Sequence, residues 1–209
     1  MLTAWDVAQI PAPKAKSIGS IVLERTVCEL QGTSCISLDR APAPKQQIAC
    51  TRSSGQAVTA LPPLIDAVSE FATRAAETLR QGGQRAGALQ VFVHTSPFRP
   101  GPRFYQSAVI QLQPPTADTK QLVCAAVAGL RSIYASGYQL AKAGVMLLDL
   151  GLAAAAQREL LFAEPSAARD QGPLMGIMDR INGRWGKATV HVGSTGDAEK
   201  GLSDWRMKQ

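Results

Sequence analysis

Hydroxyls and cations gather at the ends of the apolar runs in this 209-residue chain. Thr51, Arg52, Ser53 and Ser54 close one run, and His94, Thr95 and Ser96 close another. Arg99, Arg103 and Tyr105 follow in the adjoining turn and strand. Hydroxyls, backbone amides and guanidinium groups at strand ends hold phosphate oxygens without reading bases. Between residues 45 and 150 stand ten basic side chains: Lys45, Arg52, Arg74, Arg80, Arg85, Arg99, Arg103, Lys120, Arg131 and Lys142. They face five acids, Asp66, Glu70, Glu77, Asp118 and Asp149, so most of the chain's net charge of +6 lies in this stretch. Catalysis asks for something else, namely acids, bases or nucleophiles that converge. Three of the five acids fall on one expected helix, and none forms the paired carboxylates that two-metal phosphoryl transfer uses. No glycine-rich phosphate loop is present. His94 and His191 lack ligand partners at metal spacing, and Cys28, Cys35, Cys50 and Cys124 form no Cys-x-x-Cys pair. Structural zinc is therefore not expected, and the thiols read as reduced and mostly buried.

A second candidate is a peptide, Gln157-Arg158-Glu159-Leu160-Leu161-Phe162. The Gln157 amide can make directional hydrogen bonds, while Leu160, Leu161 and Phe162 can fill an apolar pocket. A Gln followed by two variable residues and Leu-x-Phe is the pattern by which bacterial DNA polymerases and repair proteins dock onto the sliding clamp. The plainer alternative is that these apolar residues cap the chain's own core.

The elements that must position these groups follow from periodicity. Val22, Leu23, Val27 and Leu30 fall at helical spacing with Gly32 as a stop, whereas residues 1–20 do not read as a core element. Thr33 to Pro44 reads as a linker. Gln46 to Arg52 alternates, with Ile48 and Cys50 on one face, and predicts a strand. Pro62 and Pro63 suit the first turn of a helix whose buried face is Leu64, Val68, Phe71, Ala75 and Leu79, ended by Gly82 and Gly83. Leu89 to His94 and Ser107 to Leu112 predict two further strands. Pro114 and Pro115 then introduce a second helix with Leu122, Ala126, Leu130 and Ile133 in register and Gly137 closing it. Ala143 to Leu148 predicts the last strand. The β-α-β-β-α-β order is an α+β, split βαβ or ferredoxin-like arrangement. Two helices would cover one face of a four-stranded antiparallel sheet and leave the other free for solvent or a partner. Such a fold alone assigns no function. Beyond it, Ala163 to Gly172 reads as a flexible linker. Leu174, Ile177, Met178 and Ile181 mark one side of a further amphipathic segment, with Trp185, Val190 and Val192 as a small hairpin against it.

The formal charge of +6 and a pI near 9.4 favour an anionic partner. No apolar run reaches the length of a membrane span. Met1-Leu2-Thr3-Ala4-Trp5-Asp6 has neither the basic start nor the apolar core of a secretory signal, so a cytoplasmic protein is expected.

Several runs together point to a family: Val22-Leu23-Glu24-Arg25-Thr26-Val27, Lys45-Gln46-Gln47-Ile48 leading into Arg52-Ser53, Thr95-Ser96-Pro97-Phe98, and Lys142-Ala143-Gly144-Val145-Met146-Leu147. In this order they resemble the C-terminal half of the UmuC family, Y-family translesion polymerases that form the catalytic subunit of bacterial DNA polymerase V. The peptide at Gln157 falls where that family carries a clamp-binding segment, usually in a shorter Gln-Leu-x-Leu-Phe form. Leu174-Met175, Met178-Asp179, Asn182 and Trp205-Arg206-Met207 look like the small C-terminal domain of unknown function found after it. The resemblance implies that residues 1–44 are the end of the thumb and a linker, and 45–150 a little finger domain. Residues 151–172 would be a linker carrying the clamp peptide, and 173–209 a small, shortened C-terminal domain. It further implies that the open sheet face lies along the major groove and grips template and primer backbones. By matched position Arg52, Ser53, Thr95 and Ser96 would contact phosphate, with Lys45, Arg103 and Lys142 secondary. Gln157, Leu160, Leu161 and Phe162 would engage the clamp. The implied partners are primer-template DNA bound without sequence preference, the sliding clamp, a UmuD-type subunit and RecA. The implied setting is SOS DNA repair at the bacterial nucleoid.

Family members carry palm and fingers domains before this region, with carboxylates that bind Mg2+ for nucleotidyl transfer. This chain begins at Met1 beyond them, so no cofactor and no polymerisation are expected of it alone. It also stops at Gln209, short of the family's basic end. Two functional readings result: a C-terminal piece of a UmuC-like polymerase, or a stand-alone DNA- and clamp-binding adaptor that competes with full-length polymerases. A third, a ferredoxin-like enzyme on small phosphate or acyl substrates, lacks the necessary convergent groups.

Overall fold

The computed structural model describes residues 3–37, 43–152, 171–187 and 189–191, which fall into two units, Met1–Ala43 and Pro44–Gln209. The first unit holds α1 (Ala4–Ala8) and α2 (Ala12–Leu30). Thr3 and Asp6 form a capping box at the start of α1: the Asp6 carboxylate accepts from the Thr3 amide at 2.8 Å, and the Thr3 hydroxyl accepts from the Asp6 amide at 3.3 Å. Residues 4–20 are thus largely helical, although Ala8 and Ala15 are their only buried residues. Pro11 is the N-cap of α2 and Pro13 stands in its first turn, where a missing N–H costs nothing. The helix breaks at Gly19 and Ser20, the latter at φ 71°, so its second half starts where the apolar spacing begins. Gln31 closes the unit by donating its side-chain amide to the Ala8 carbonyl at 2.7 Å.

The second unit runs β1 (Ile48–Val58), α3 (Leu61–Gln81), β2 (Gln84–Thr95), β3 (Tyr105–Thr116), α4 (Thr119–Ile133), β4 (Leu140–Leu152) and α5 (Gly172–Trp185). The four strands form one antiparallel sheet in the order β1-β4-β2-β3. β1 and β2, joined by α3, are therefore parallel with β4 between them. β3 and β4, joined by α4, are parallel with β2 between them. Both crossovers are split βαβ units, and the α+β architecture is the one the element order predicts. The two central strands are those that follow the helices.

Alternation along the strands decides which face is covered. Ile48, Leu89, Val91, Val93, Ala143, Val145 and Leu147 are buried on one face, against Leu64, Val68, Phe71, Ala75 and Leu79 of α3 and Leu122, Ala126 and Leu130 of α4. The helical faces read from spacing are thus the buried ones. Gly129 lets α4 approach: a Cβ there would lie 2.4 Å from Ile110 Cδ1 and 2.7 Å from Val91 Cγ1.

Every strand is longer than its expected apolar run: β3 continues into polar residues and prolines, and β4 takes in Leu140 and Leu150 beyond the run. Pro114 and Pro115 do not introduce α4, as expected from sequence, but end β3 at the sheet edge, where a proline forfeits no ladder bond. The start of α4 is set by Asp118, whose carboxylate accepts from the Lys120 amide at 2.7 Å and the Gln121 amide at 3.3 Å. Trp185 ends α5 instead of opening a hairpin, and Asn182 holds Val190 by two bonds of 2.9 Å. The buried residue of α5 is Met175, while Leu174 and Ile177, expected on the packed side, are half exposed. Val192 lies outside the described residues, as does most of the expected linker from Ala163.

Ser69, in the buried face of α3, has a fully buried hydroxyl with no hydrogen-bond partner. Removing such a group while keeping the methylene relieves desolvation and improves helix propensity. Ser69→Ala is expected to stabilise the protein by about 1 kcal/mol. Urea unfolding checks this; a loss of stability would show that the hydroxyl is satisfied in solution.

Candidate nucleic-acid interface

The face opposite the helices is built of four cross-strand rows. At one end Ser53, Lys142, His94 and Tyr105 stand side by side across β1, β4, β2 and β3. The next rows are Thr51, Gly144, Phe92 and Ser107, then Ala49, Met146, Gln90 and Val109, then Leu148, Ala88 and Gln111 across the inner strands and β3. Lys142 is the only charged side chain in these rows, and no carboxylate stands among them. The end of the face that carries Lys142 is polar and aromatic, the rows beyond it are largely aliphatic, and these rows are not broadly basic.

Three rings share its charged end. Phe92 and His94 stack at 6.3 Å between centroids and 11° between planes, and His94 meets Tyr105 at 6.2 Å and 38°. Gly144 makes room for them: a Cβ there would lie 2.4 Å from Thr51 Cγ2 and 2.7 Å from Phe92 Cζ. His94 Nδ1 lies 2.9 Å from its neighbour's carbonyl, Thr95 O, which orients the imidazole on the face.

The residues singled out from sequence part company here. Ser53 and Lys142 lie together in the end row. Thr95 and Ser96 lie at the same end, but both hydroxyls serve the β2–β3 loop. Thr95 Oγ1 accepts from the Phe104 amide at 3.0 Å, and Ser96 Oγ accepts from the Phe98 amide at 3.2 Å. That loop carries exposed Arg103, and Arg99 ties it to β1 by donating to the Gly55 carbonyl at 2.7 Å. Arg52 pairs with Ala143 and so belongs to the helix-covered side of β1, beside Cys50. Burial pushes the Cys50 thiol upward, against the opposing charges of Arg74 and Arg52. Lys45 is exposed before β1, at the opposite end of the sheet, where its carbonyl accepts from the Gln84 side-chain amide at 2.9 Å. Gln157, Leu160, Leu161 and Phe162 lie outside the described residues. All four cysteines are free, but against the expectation of mostly buried thiols Cys28, Cys35 and Cys50 are half-buried and Cys124 is exposed. Among the described residues no cluster of His, Cys, Asp or Glu could hold a metal ion, and no helix is long and apolar enough to cross a membrane.

What sequence reasoning passed over is the anchoring of α5. Arg80 forks onto Asp179, with Nε to Oδ2 at 2.7 Å and Nη2 to Oδ1 at 2.6 Å. Its Nη1 also donates to the Ala117 carbonyl at 2.9 Å and to Thr119 Oγ1 at 2.8 Å, joining α3, the start of α4 and α5. A bidentate pair fixes orientation as well as distance. No local motif marks a pair 99 positions apart.

Among the described residues no helix covers this second face of the α+β sheet, and part of it is aromatic. The model for the impB/mucB/samB family C-terminal domain matches residues 45–160, and that for Domain of unknown function (DUF4113) matches residues 173–209. The chain belongs to the impB/mucB/samB family. It is 42% identical to Protein SamB and 38% identical to Protein ImpB, both of Salmonella typhimurium, over 99% of this chain and 48% of each relative. Protein UmuC of Salmonella typhimurium is 36% identical over the same shares. The chain thus spans about half the length of these relatives, matching their C-terminal half.

Glu77, one turn before Arg80, has its carboxyl pushed upward, first by burial and next by the Asp179 charge, with Arg80 opposing. A carboxyl whose folded pKa is raised stabilises the fold below its ordinary value of 4.5, and that contribution is lost as pH rises through the raised value. Glu77→Gln is therefore expected to raise the melting temperature at neutral pH and to flatten the fall in stability above pH 4.5. Thermal melts across this range check it, and an unchanged profile would contradict it.

Proposed function

We propose that this chain is the DNA-holding C-terminal part of a UmuC-like translesion DNA polymerase. The observation that carries the reading is its similarity to SamB, ImpB and UmuC over 99% of its length. The bare sheet face supplies the surface. A B-form major groove is about 12 Å wide and admits β structure. A nearly neutral sheet face suits groove atoms, while cations at its ends reach phosphates. Ser53, Lys142 and Arg103 serve as the first phosphate contacts, joined by the Thr95–Ser96 loop. Arg52 and Lys45 contribute from the flanks of β1. Nucleotidyl transfer, with its Mg2+, falls to the palm of the whole polymerase, and this part holds primer-template DNA in place during SOS repair. Gln157, Leu160, Leu161 and Phe162 tether it to the sliding clamp, and a UmuD-type subunit and RecA are further partners of the whole polymerase.

The first unit supports membership of a larger polymerase over a stand-alone adaptor. Trp5 is 74% exposed, and Ile18 and Val22 are similarly open, a surface suited to packing on further polypeptide.

The test is DNA binding by the full chain across a salt series. Affinity for duplexes should fall steeply with salt and depend little on sequence, because phosphate contacts release counterions. Lys142→Ala should weaken all duplexes alike and reduce the salt slope by about one. A flat salt response would overturn the reading. The clamp assignment has its own check: replacing Gln157, Leu160 and Phe162 together by Ala should abolish binding to the bacterial sliding clamp and leave DNA affinity intact. A triple variant that holds the clamp as tightly as the native chain would refute it.

A further inference from the structure

We propose that the end of the open face formed by Phe92, His94, Tyr105 and Lys142 stacks the unpaired bases of single-stranded DNA. This inference rests on the DNA-holding function and goes beyond it, because a duplex offers this surface phosphates and groove edges but no free base faces.

The composition of the surface carries the argument. The four rows hold one cation, Lys142, at their end, so phosphates are met there and the rest of these rows offers them little. The rows also hold three rings, gathered at the same end as that lysine. Phe92 and His94 lie nearly coplanar in orientation, 11° apart, on a central strand, with Tyr105 beside them on the edge strand. Tyr105 is 64% exposed, which is more than its own packing needs. Gly144 keeps the centre of the face flat and lets the Phe92 ring lie over bare backbone. Rings on a four-stranded sheet, with a cation to meet the backbone, are the equipment by which proteins hold unpaired nucleotides. Stacking needs no base identity, which suits a sequence-independent DNA holder. No carboxylate in the rows opposes the approach of phosphate.

The occupant is thus a short unpaired stretch running across β2 and β3, its bases on Tyr105 and His94 and a phosphate at Lys142. Arg103, exposed on the loop at this end, extends the path for the backbone.

The test compares fluorescence anisotropy of the full chain with a labelled oligothymidylate, an abasic oligonucleotide of equal length, and a duplex. The single strand should bind at least about fivefold more tightly than the abasic strand, the lower edge of what one base–ring stack is worth. Tyr105→Ala should remove most of that difference, Tyr105→Phe should retain it, and duplex affinity should change little in either. Tyr105 is exposed, so both variants should fold, and unchanged melting would confirm it. Equal binding of abasic and base-bearing strands, or an unchanged single-strand affinity in Tyr105→Ala, would overturn the inference while duplex binding stood. Loss of all binding in the native chain at low salt would overturn the DNA-holding function as well.

Discussion

The seating of α3 and α4 on one face of the sheet is the interaction on which the rest of the second unit depends. Phe71, Leu64, Leu79, Leu122 and Leu130 are fully buried against Leu89, Val91, Val145 and Leu147. Burying each such side chain contributes about 1.5–3 kcal/mol before chain entropy is counted. Because both helices use the same face, the opposite one is left with a mixture of polar, aromatic and aliphatic residues. The open face is therefore a consequence of the core: the period of two along each strand sends one set of side chains inward and the other outward.

The same alternation explains why a basic chain presents a nearly neutral open face. Arg74, Arg80 and Arg131 ride on helices, and Arg52 leans to the helix side of β1. Arg80 is occupied by Asp179, and Arg74 pairs with Glu70 one turn away. Net charge thus steers association with an anion without marking where the anion sits. The chemistry of the face lies in Lys142 and the rings around it. The Arg80–Asp179 fork, in turn, attaches the beginning of the region matching the domain of unknown function to the domain before it.

Much of this was legible from residues alone. Helical periodicity located α3 and α4 and named their buried faces, since a 3.6-residue repeat over four or five turns leaves few alternatives. Element order gave both split crossovers. Prolines misled at Pro114 and Pro115, because a proline tolerates a helix start and a strand edge equally well. The side on which Arg52 lies was readable in principle: it shares parity with Ile48 and Cys50, which the alternation had already set inward. His94 and Tyr105 were singled out, but their meeting with Phe92 and Lys142 depends on strand register, which no local pattern encodes. Gly144, inside an apolar run, was the one local sign that something lies close to that backbone.

The most direct test of the account is a chemical-shift titration of the chain with primer-template DNA. Signals of Ser53, His94, Tyr105 and Lys142 should move first and most, with the exposed sides of α3 and α4 nearly still. Shifts centred on the helices, around Arg74, Lys120 and Arg131, would show that DNA follows the arginines to the covered side, and the open face would lose its role.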